Sequence, residues 1–287
     1  MPKGNLAGAE RVSDLLRATA GAVELAAVDP RSTPGFDGGK AGAEKAAPAL
    51  GERLAELQEQ LYAEARSGGS RSLLLVMQGM DTSGKGGTVK HVVGQVDPGG
   101  VQVASFGKPT REELEHDFLW RIRAQLPRAG KLGVFDRSHY EDVVTVRVLD
   151  LVDRDTWTRR YETINRFEEE LVAGGTVLVK CFLHISPDEQ RERLLARLDD
   201  PTKHWKFNPD DLESRARWDE YMTAYGAAIE RCSTELAPWH IVPADRKWYR
   251  NWAITNLLIE QLDALGLRWP DARFDVAEQR AKLLAMP

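Results

Sequence analysis

Two cysteines, Cys181 and Cys232, are all that the 287 residues contain. So few exclude a disulfide framework and a cysteine-built metal centre. Long apolar runs are also missing. No segment reaches the roughly 20 residues needed to cross a bilayer, and the opening MPKGNLAGAERVSDLL has no continuous hydrophobic stretch. A membrane partner is therefore not expected, and a cytoplasmic location is. Nor is there an excess of positive charge: 39 Lys and Arg stand against 44 Asp and Glu, a net charge of -5. Binding nucleic acid calls for a broad basic face, so nucleic acid is set aside as a partner. A small or linear polyanion is not, because the field in a cleft depends on local charge rather than on the sum. What is present is ordinary for a globular enzyme, with 42% hydrophobic and 29% charged residues, enough for a sizeable core.

Residues 1–50 read as an N-terminal arm, loosely structured with short helices, because the stretch from Ala18 to about Gly51 is rich in Ala, Gly, Asp and Pro around PRSTPGFDGG. Residues 51–287 read as one domain. Leu54, Leu57, Leu61 and Tyr62 repeat at helical spacing ahead of Ser72–Gln78, an apolar run of strand length suited to a sheet buried on both faces. Further strands are expected at Val101–Phe106, Leu132–Phe135, Thr176–Ile185 and Trp239–Val242. Helices are expected over Thr88–Val96, Arg111–Leu126, Asp155–Ala173, Pro187–Leu198, Asp210–Cys232 and Trp248–Leu265. Strands that alternate with helices imply an α/β fold whose parallel sheet is covered on both faces.

The densest chemical signal is Gly79-Met80-Asp81-Thr82-Ser83-Gly84-Lys85-Gly86-Gly87-Thr88, between that first strand and a helix. This is the context of a P-loop. Glycines let backbone N–H groups fold around phosphate oxygens, the helix aims its positive end at the same point, and Lys85 reaches the outer phosphates. The usual loop places Ser or Thr directly after the lysine to hold magnesium. Here that position is Gly86, and the next hydroxyl is Thr88. The metal is accordingly expected on carboxylates: Asp81 inside the loop and Asp136 at the end of the third strand, since Mg²⁺ asks for one or two carboxylates plus phosphates and waters. Arg137 follows as a cation for the transferring group. His139, in the polar cluster Ser138–Asp142, reads as structural, because phosphoryl transfer needs charge stabilisation more than a base. Arg193 and Arg197, spaced i, i+4, share a helix face, and Lys203 and Lys206 follow in a loop; on a segment of about 187–220 they would make a lid over the phosphates. Of Trp205, Trp218, Trp239, Trp248 and Trp252, most are expected in the core, and one can serve to stack a base.

With these residues in place, the chain resembles the family-2 polyphosphate kinases. The matching stretches are GMDTSGKGGT, SFGKPTREELEHDFLWRI, LPRAGKLGVFDRSHYEDV, DEQRERLLARLDDPTKHWKFNPDDL and APWHIVPADRKWYRN, in order from residue 79 to 251. The resemblance implies a P-loop kinase-like three-layer sandwich with a helical lid, and Mg²⁺-dependent phosphoryl transfer between inorganic polyphosphate and adenine or guanine nucleotides. It implies magnesium-binding and catalytic roles for Asp81 and Asp136, phosphate contacts for Lys85 and Arg137, and lid roles for Arg193 and Arg197. A homo-oligomer, dimer or tetramer, is expected. SHYEDV and DDPTKHWKFNPDDL resemble the short one-domain branch, associated with AMP as well as ADP. GKGG, FGKPT and FDRS resemble branches acting on ADP or GDP. A polyphosphate lane is expected to add Lys108, Arg111, Arg121 and Lys131. Two rival functions remain: an ATP-dependent small-molecule or nucleotide kinase on the same fold, and a non-catalytic polyphosphate- or nucleotide-binding regulator.

Overall fold

The computed structural model describes residues 10–18 and 21–287; the parts of the expected arm at 1–9 and 19–20 lie outside them. In chain order the elements are α1 (Val12–Leu16), α2 (Gly39–Arg66), β1 (Ser72–Gln78), α3 (Lys85–His91), β2 (Val101–Ser105), α4 (Arg111–Leu114), α5 (Trp120–Arg123) and β3 (Leu132–Asp136). There follow α6 (Thr145–Val148), α7 (Arg154–Ala173), β4 (Thr176–His184), α8 (Pro187–Leu198), α9 (Asp210–Ala216), α10 (Trp218–Cys232), β5 (Trp239–Pro243), α11 (Lys247–Ala264) and α12 (Val276–Leu284).

The five strands form one parallel sheet in the order β2-β3-β1-β4-β5. Every residue of β1 is buried, as its continuous apolar run requires for a strand with helices on both sides. Successive side chains alternate across the pleat. Leu73, Leu75 and Met77 therefore join Leu54, Leu57 and Leu61 of α2 and Ile254, Leu257 and Leu258 of α11. Leu74 and Val76 join Phe135, Ile164, Phe167 and Phe182 on the other face. A fully buried side chain of this size contributes roughly 1.5–3 kcal/mol, so the two apolar layers fix the strand register and with it the loops at the sheet's C-terminal edge.

Four helices differ from the sequence expectation; the one expected over Thr88–Val96 is α3, Lys85–His91, with a separate turn at Val93–Gln95. α2 starts at Gly39, inside the stretch read as an arm, although Gly42, Pro48 and Gly51 are poor helix formers; packing along α11 outweighs that propensity. The helix expected over Arg111–Leu126 is two short ones. Asp117 Oδ1 accepts from the Leu119 backbone N–H at 2.8 Å, starting a new turn, and His116 stacks on Trp120 with ring centroids 4.2 Å apart. The helix expected over Asp210–Cys232 breaks at Arg217, whose Nη1 donates to the Val148 carbonyl at 2.6 Å. α12 has no counterpart in the sequence reading. The rest of the arm, where it is described, is a strap. Glu260 of α11 accepts from the Val12 and Ser13 N–H groups at 2.8 and 3.0 Å, and Phe36 packs against Trp252 at 4.8 Å.

Behind the β3 turn lies a buried polar network. Lys180 Nζ donates to Glu168 Oε2 at 2.5 Å, to the Tyr140 hydroxyl at 3.0 Å and to the Cys232 carbonyl at 2.6 Å. The Tyr140 hydroxyl donates to Glu168 Oε1 at 2.8 Å, and His139 Nε2 lies 3.2 Å from the same oxygen. Lys180 and His139 are fully buried and Glu168 nearly so. Burial raises the Glu168 carboxyl, but the Lys180 charge and the His139 contact outweigh it, so the group sits below its ordinary range. His139 is structural, as its sequence context suggested. Among the described residues no helix is long and apolar enough to cross a membrane.

Candidate functional site

β1 delivers the chain at its C-terminal end into Gly79–Gly84, and α3 begins at Lys85. Gly79 has φ 144°, and a Cβ there would stand 2.6 Å from the Leu183 carbonyl oxygen of β4. Only glycine satisfies both conditions. Gly79→Ala should therefore lower stability by about 1–3 kcal/mol through backbone strain and collision. A chemical denaturation midpoint checks this; an unshifted midpoint would refute the close approach.

Lys85 is buried, and its Nζ donates to the Gly79 carbonyl at 2.8 Å. Burial and the neighbouring Arg137 charge lower its pKa, while Asp136, Asp81 and Glu141 oppose the shift. Asp81 Oδ1 accepts from Arg137 Nη2 at 2.7 Å. Arg137 adopts φ 64°, a left-handed backbone that a non-glycine residue enters only when its surroundings hold it there. Its N–H donates to the Met77 carbonyl at 3.1 Å. Burial opposes its charge, but Glu141 and Asp81 raise its pKa well above the ordinary value. Lys85, Asp81, Asp136, Arg137 and Glu141 thus form one electrostatic cluster at the ends of β1 and β3.

Gly86 is exposed, and a Cβ there would meet nothing within 4 Å, so the usual magnesium-binding side-chain position is open space. Thr88 does not replace it, because it is buried and its hydroxyl donates to the Gly84 carbonyl at 3.2 Å. The Asp136 carboxylate, half-buried at the end of β3, takes no hydrogen bond among the described residues, whose polar contacts at Asp136 involve the backbone. No group of three His, Cys, Asp or Glu among the described residues stands close enough to hold a metal. Magnesium needs less: one or two carboxylates, with phosphate oxygens and waters completing the octahedron. Asp81 and Asp136 fit that demand. Two side chains that the sequence reading passed over belong here. The Thr82 and Ser83 hydroxyls of the loop are buried without a partner among the described residues.

The lid residues divide. Arg193 reaches the loop, but its guanidinium donates to the Thr82, Ser83, Ala244 and Asp245 carbonyls at 2.8, 3.2, 2.7 and 3.0 Å, and to Glu189 at 2.7 Å. Its five N–H groups are spent on the protein, so it ties the phosphate loop to α8 and to the end of β5 instead of presenting a free cation. Gln190 adds a bond from Nε2 to the Asp81 carbonyl at 3.3 Å. Arg197 Nη1 donates to Asp211 at 3.2 Å and to the Lys206 carbonyl at 2.8 Å. Lys203 pairs with Asp200 at 2.6 Å, and Lys206 lies 4.9 Å over the Trp205 ring. Of the expected lane, Lys108 bridges to Asp210 of the lid at 3.1 Å and Arg111 is solvent-exposed. Arg121 is buried against the Gly107 carbonyl and Asp142. Lys131 precedes β3 and bonds the Gly99 carbonyl, which puts it at the opposite end of the parallel sheet from the loop.

Asp211, within the DDPTKHWKFNPDDL stretch, gives the lid a titrating group that was not among the expected site residues. Burial and the Asp81 charge push its carboxyl up to about 6, against the pull of Arg197 and Arg137. A lid movement that exposed Asp211 to solvent would release a proton, so raising the pH through 6 would weaken the arrangement described here. Hydrogen exchange of α9 amides, corrected for intrinsic rates, should show protection falling across that step. Asp211→Asn should flatten it, and a step that survives the substitution would assign it elsewhere.

The family described as Polyphosphate kinase 2 (PPK2) matches residues 39–268. An AMP/ADP-polyphosphate phosphotransferase from Meiothermus ruber is 51% identical over 250 residues, covering 87% of this chain and 92% of that protein. An ADP-polyphosphate phosphotransferase from Rhodopseudomonas palustris is 42% identical over 249 residues, covering 81% of this chain and 85% of that protein. The crystal structure of polyphosphate kinase 2 from Arthrobacter aurescens TC1 superposes with a TM-score of 0.94 at 53% identity, covering 97% of this chain and 98% of that one.

Proposed function

This chain belongs to the polyphosphate kinase 2 family, and on that premise we propose how it transfers phosphoryl groups between inorganic polyphosphate and nucleotides. The acceptors are AMP and ADP. The observation that carries the reading is the cluster at the sheet's C-terminal edge, where Lys85, Arg137 and two carboxylates meet an N–H-lined loop. The acceptor's terminal phosphate oxygen is already anionic, so no side chain has to make it nucleophilic. The barrier is instead the mutual repulsion of two polyanions and their alignment.

Gly84, Gly86, Gly87 and the start of α3 supply N–H donors to the phosphates at the positive end of a helix. The Thr82 and Ser83 hydroxyls face the same loop. Lys85 stabilises charge on the group in transit, and Arg137, oriented by Asp81, does so from the β3 side. Asp81 and Asp136 would hold magnesium, which would supply positive charge to offset that of the phosphates. Arg193 keeps the loop in shape. The α8–α9 segment, with Arg197 latched to Asp211, closes over the site and excludes water. We assign base stacking to Trp205, which is 78% exposed on that segment. Homo-oligomer formation is part of the reading and is measured by sedimentation velocity.

A donor–acceptor matrix tests this. Polyphosphate or ATP is offered with AMP, ADP, GMP or GDP, with magnesium and again with EDTA, and the products are separated by anion exchange. The expected result is ADP from AMP and ATP from ADP with polyphosphate as donor, abolished by EDTA. Turnover of ATP alone as donor would favour an ordinary kinase, and tight binding without turnover a regulator.

A further inference from the structure

The first turn of α11 is electrostatically wrong for an isolated helix. It opens on Arg246, Lys247 and Arg250 with no side-chain cap, whereas the positive end of a helix favours anions. Arg246 and Lys247 are exposed, and among the described residues neither forms an ion pair with a carboxylate. Arg250 is 2% exposed. Its Nε and Nη2 share one neutral acceptor, Asn251 Oδ1, at 3.2 and 2.7 Å, and no acceptor among the described residues takes its Nη1.

That guanidinium lies against the phosphate loop. A Cβ on Gly84, which has φ 112°, would stand 1.7 Å from Nη1, and one on Gly87 would stand 2.9 Å from Nη2. Burial and then the Arg193 charge bring Arg250 down to about 10. Partial desolvation, then Arg193, Arg250 and Lys203, lower Lys247, and Glu189 opposes them. In a chain of net charge -5, cations are here gathered at a helix N-terminus with little to neutralise them. Such a patch costs free energy until an anion occupies it.

We propose that the polyphosphate donor leaves the phosphate loop along this patch, running past Arg250 and over Lys247 and Arg246 at the α11 N-terminus. A nucleotide's two or three phosphates end at the loop, so only a longer linear polyanion gains from cations placed beyond it. From Lys247 the surface continues into a cavity of about 330 Å³ that Lys40, Glu44 and His91 also line, with Lys40 paired to Glu44 at 3.7 Å. The inference rests on the polyphosphate-transfer reading above and specifies where the donor chain lies.

The test is initial-rate kinetics with ADP and either long-chain polyphosphate or tripolyphosphate as donor, on the wild type and on R246E/K247E. Both residues are exposed, and an unchanged melting temperature controls for folding. The KM for long chains should rise roughly tenfold, kcat should stay within about twofold, and the KM for tripolyphosphate should move much less. Lys247→Gln alone should raise the long-chain KM about threefold, and added salt should shrink every difference. An unchanged long-chain KM, or equal rises for both donors, would overturn the lane while leaving the transfer reading intact. A wild type with no polyphosphate-dependent turnover would overturn the transfer reading, and the lane with it.

Discussion

Lys85→Ala should lower kcat by about 10²-fold or more, the scale of losing one charge-stabilising group in a water-excluded site. The residue is buried beside the loop, within the field of Asp81, Asp136 and Arg137, and among the described residues no other lysine or arginine donates to the Gly79 carbonyl as it does. Its removal should act on turnover more than on substrate affinity, because the loop N–H groups still hold phosphate. Lys85→Arg should not restore the rate, since a planar guanidinium cannot take the place of a compact ammonium among those carbonyls. Initial rates at saturating polyphosphate and ADP provide the measurement. A kcat within threefold of wild type for the alanine variant would mean that the group in transit lies elsewhere.

Glu168→Ala should cost about 3–5 kcal/mol of stability, the range for breaking a buried ion pair from one side. It strands the Lys180 ammonium, which is fully buried with only the Tyr140 hydroxyl and the Cys232 carbonyl left to it. The pair need not be a net source of stability: replacing both members, as in Glu168→Leu with Lys180→Met, should recover most of the loss. Urea unfolding followed by circular dichroism measures both. A single variant within about 1 kcal/mol of wild type would show that water reaches Lys180. Because Tyr140 and His139 belong to the same network and follow Arg137 by a few residues, the single variant should also loosen the left-handed turn at Arg137 and reduce turnover.

β1 and β3 were legible because each is a short apolar run closed by a polar residue, and Ser72–Gln78 agrees with the sequence reading end to end. Asp81, Lys85, Asp136 and Arg137 were legible for a related reason: loop-flanking residues of a parallel sheet converge at its C-terminal edge. The start of α2 was not, since glycine and proline in its first turns mask a helix that tertiary packing holds. Arg193 was read as a free cation because its i, i+4 partner Arg197 shares its helix face, and periodicity does not reveal where a guanidinium's five donors go. Asp211 and Arg250 lie in stretches that carry the family resemblance, but nothing local to either indicates its part in the site. One acquires its meaning from Asp81 and the other from Gly84, both distant in sequence, and only the fold brings them together.

The strand order has a consequence for how the chain is made. β1 sits at the centre, with Leu73 pairing with Leu132 on one side and Val177 on the other. During synthesis this apolar strand emerges long before either neighbour, with both edges open. Non-local parallel pairing is slow, and unpaired apolar edges invite association with other chains. α2 precedes β1 and covers its Leu73, Leu75 and Met77 face, so it can shield one side of the nascent strand before the sheet exists. Shortening α2 from its N-terminal half should therefore reduce the yield of native protein from cells more than it reduces the specific activity of the molecules that do fold.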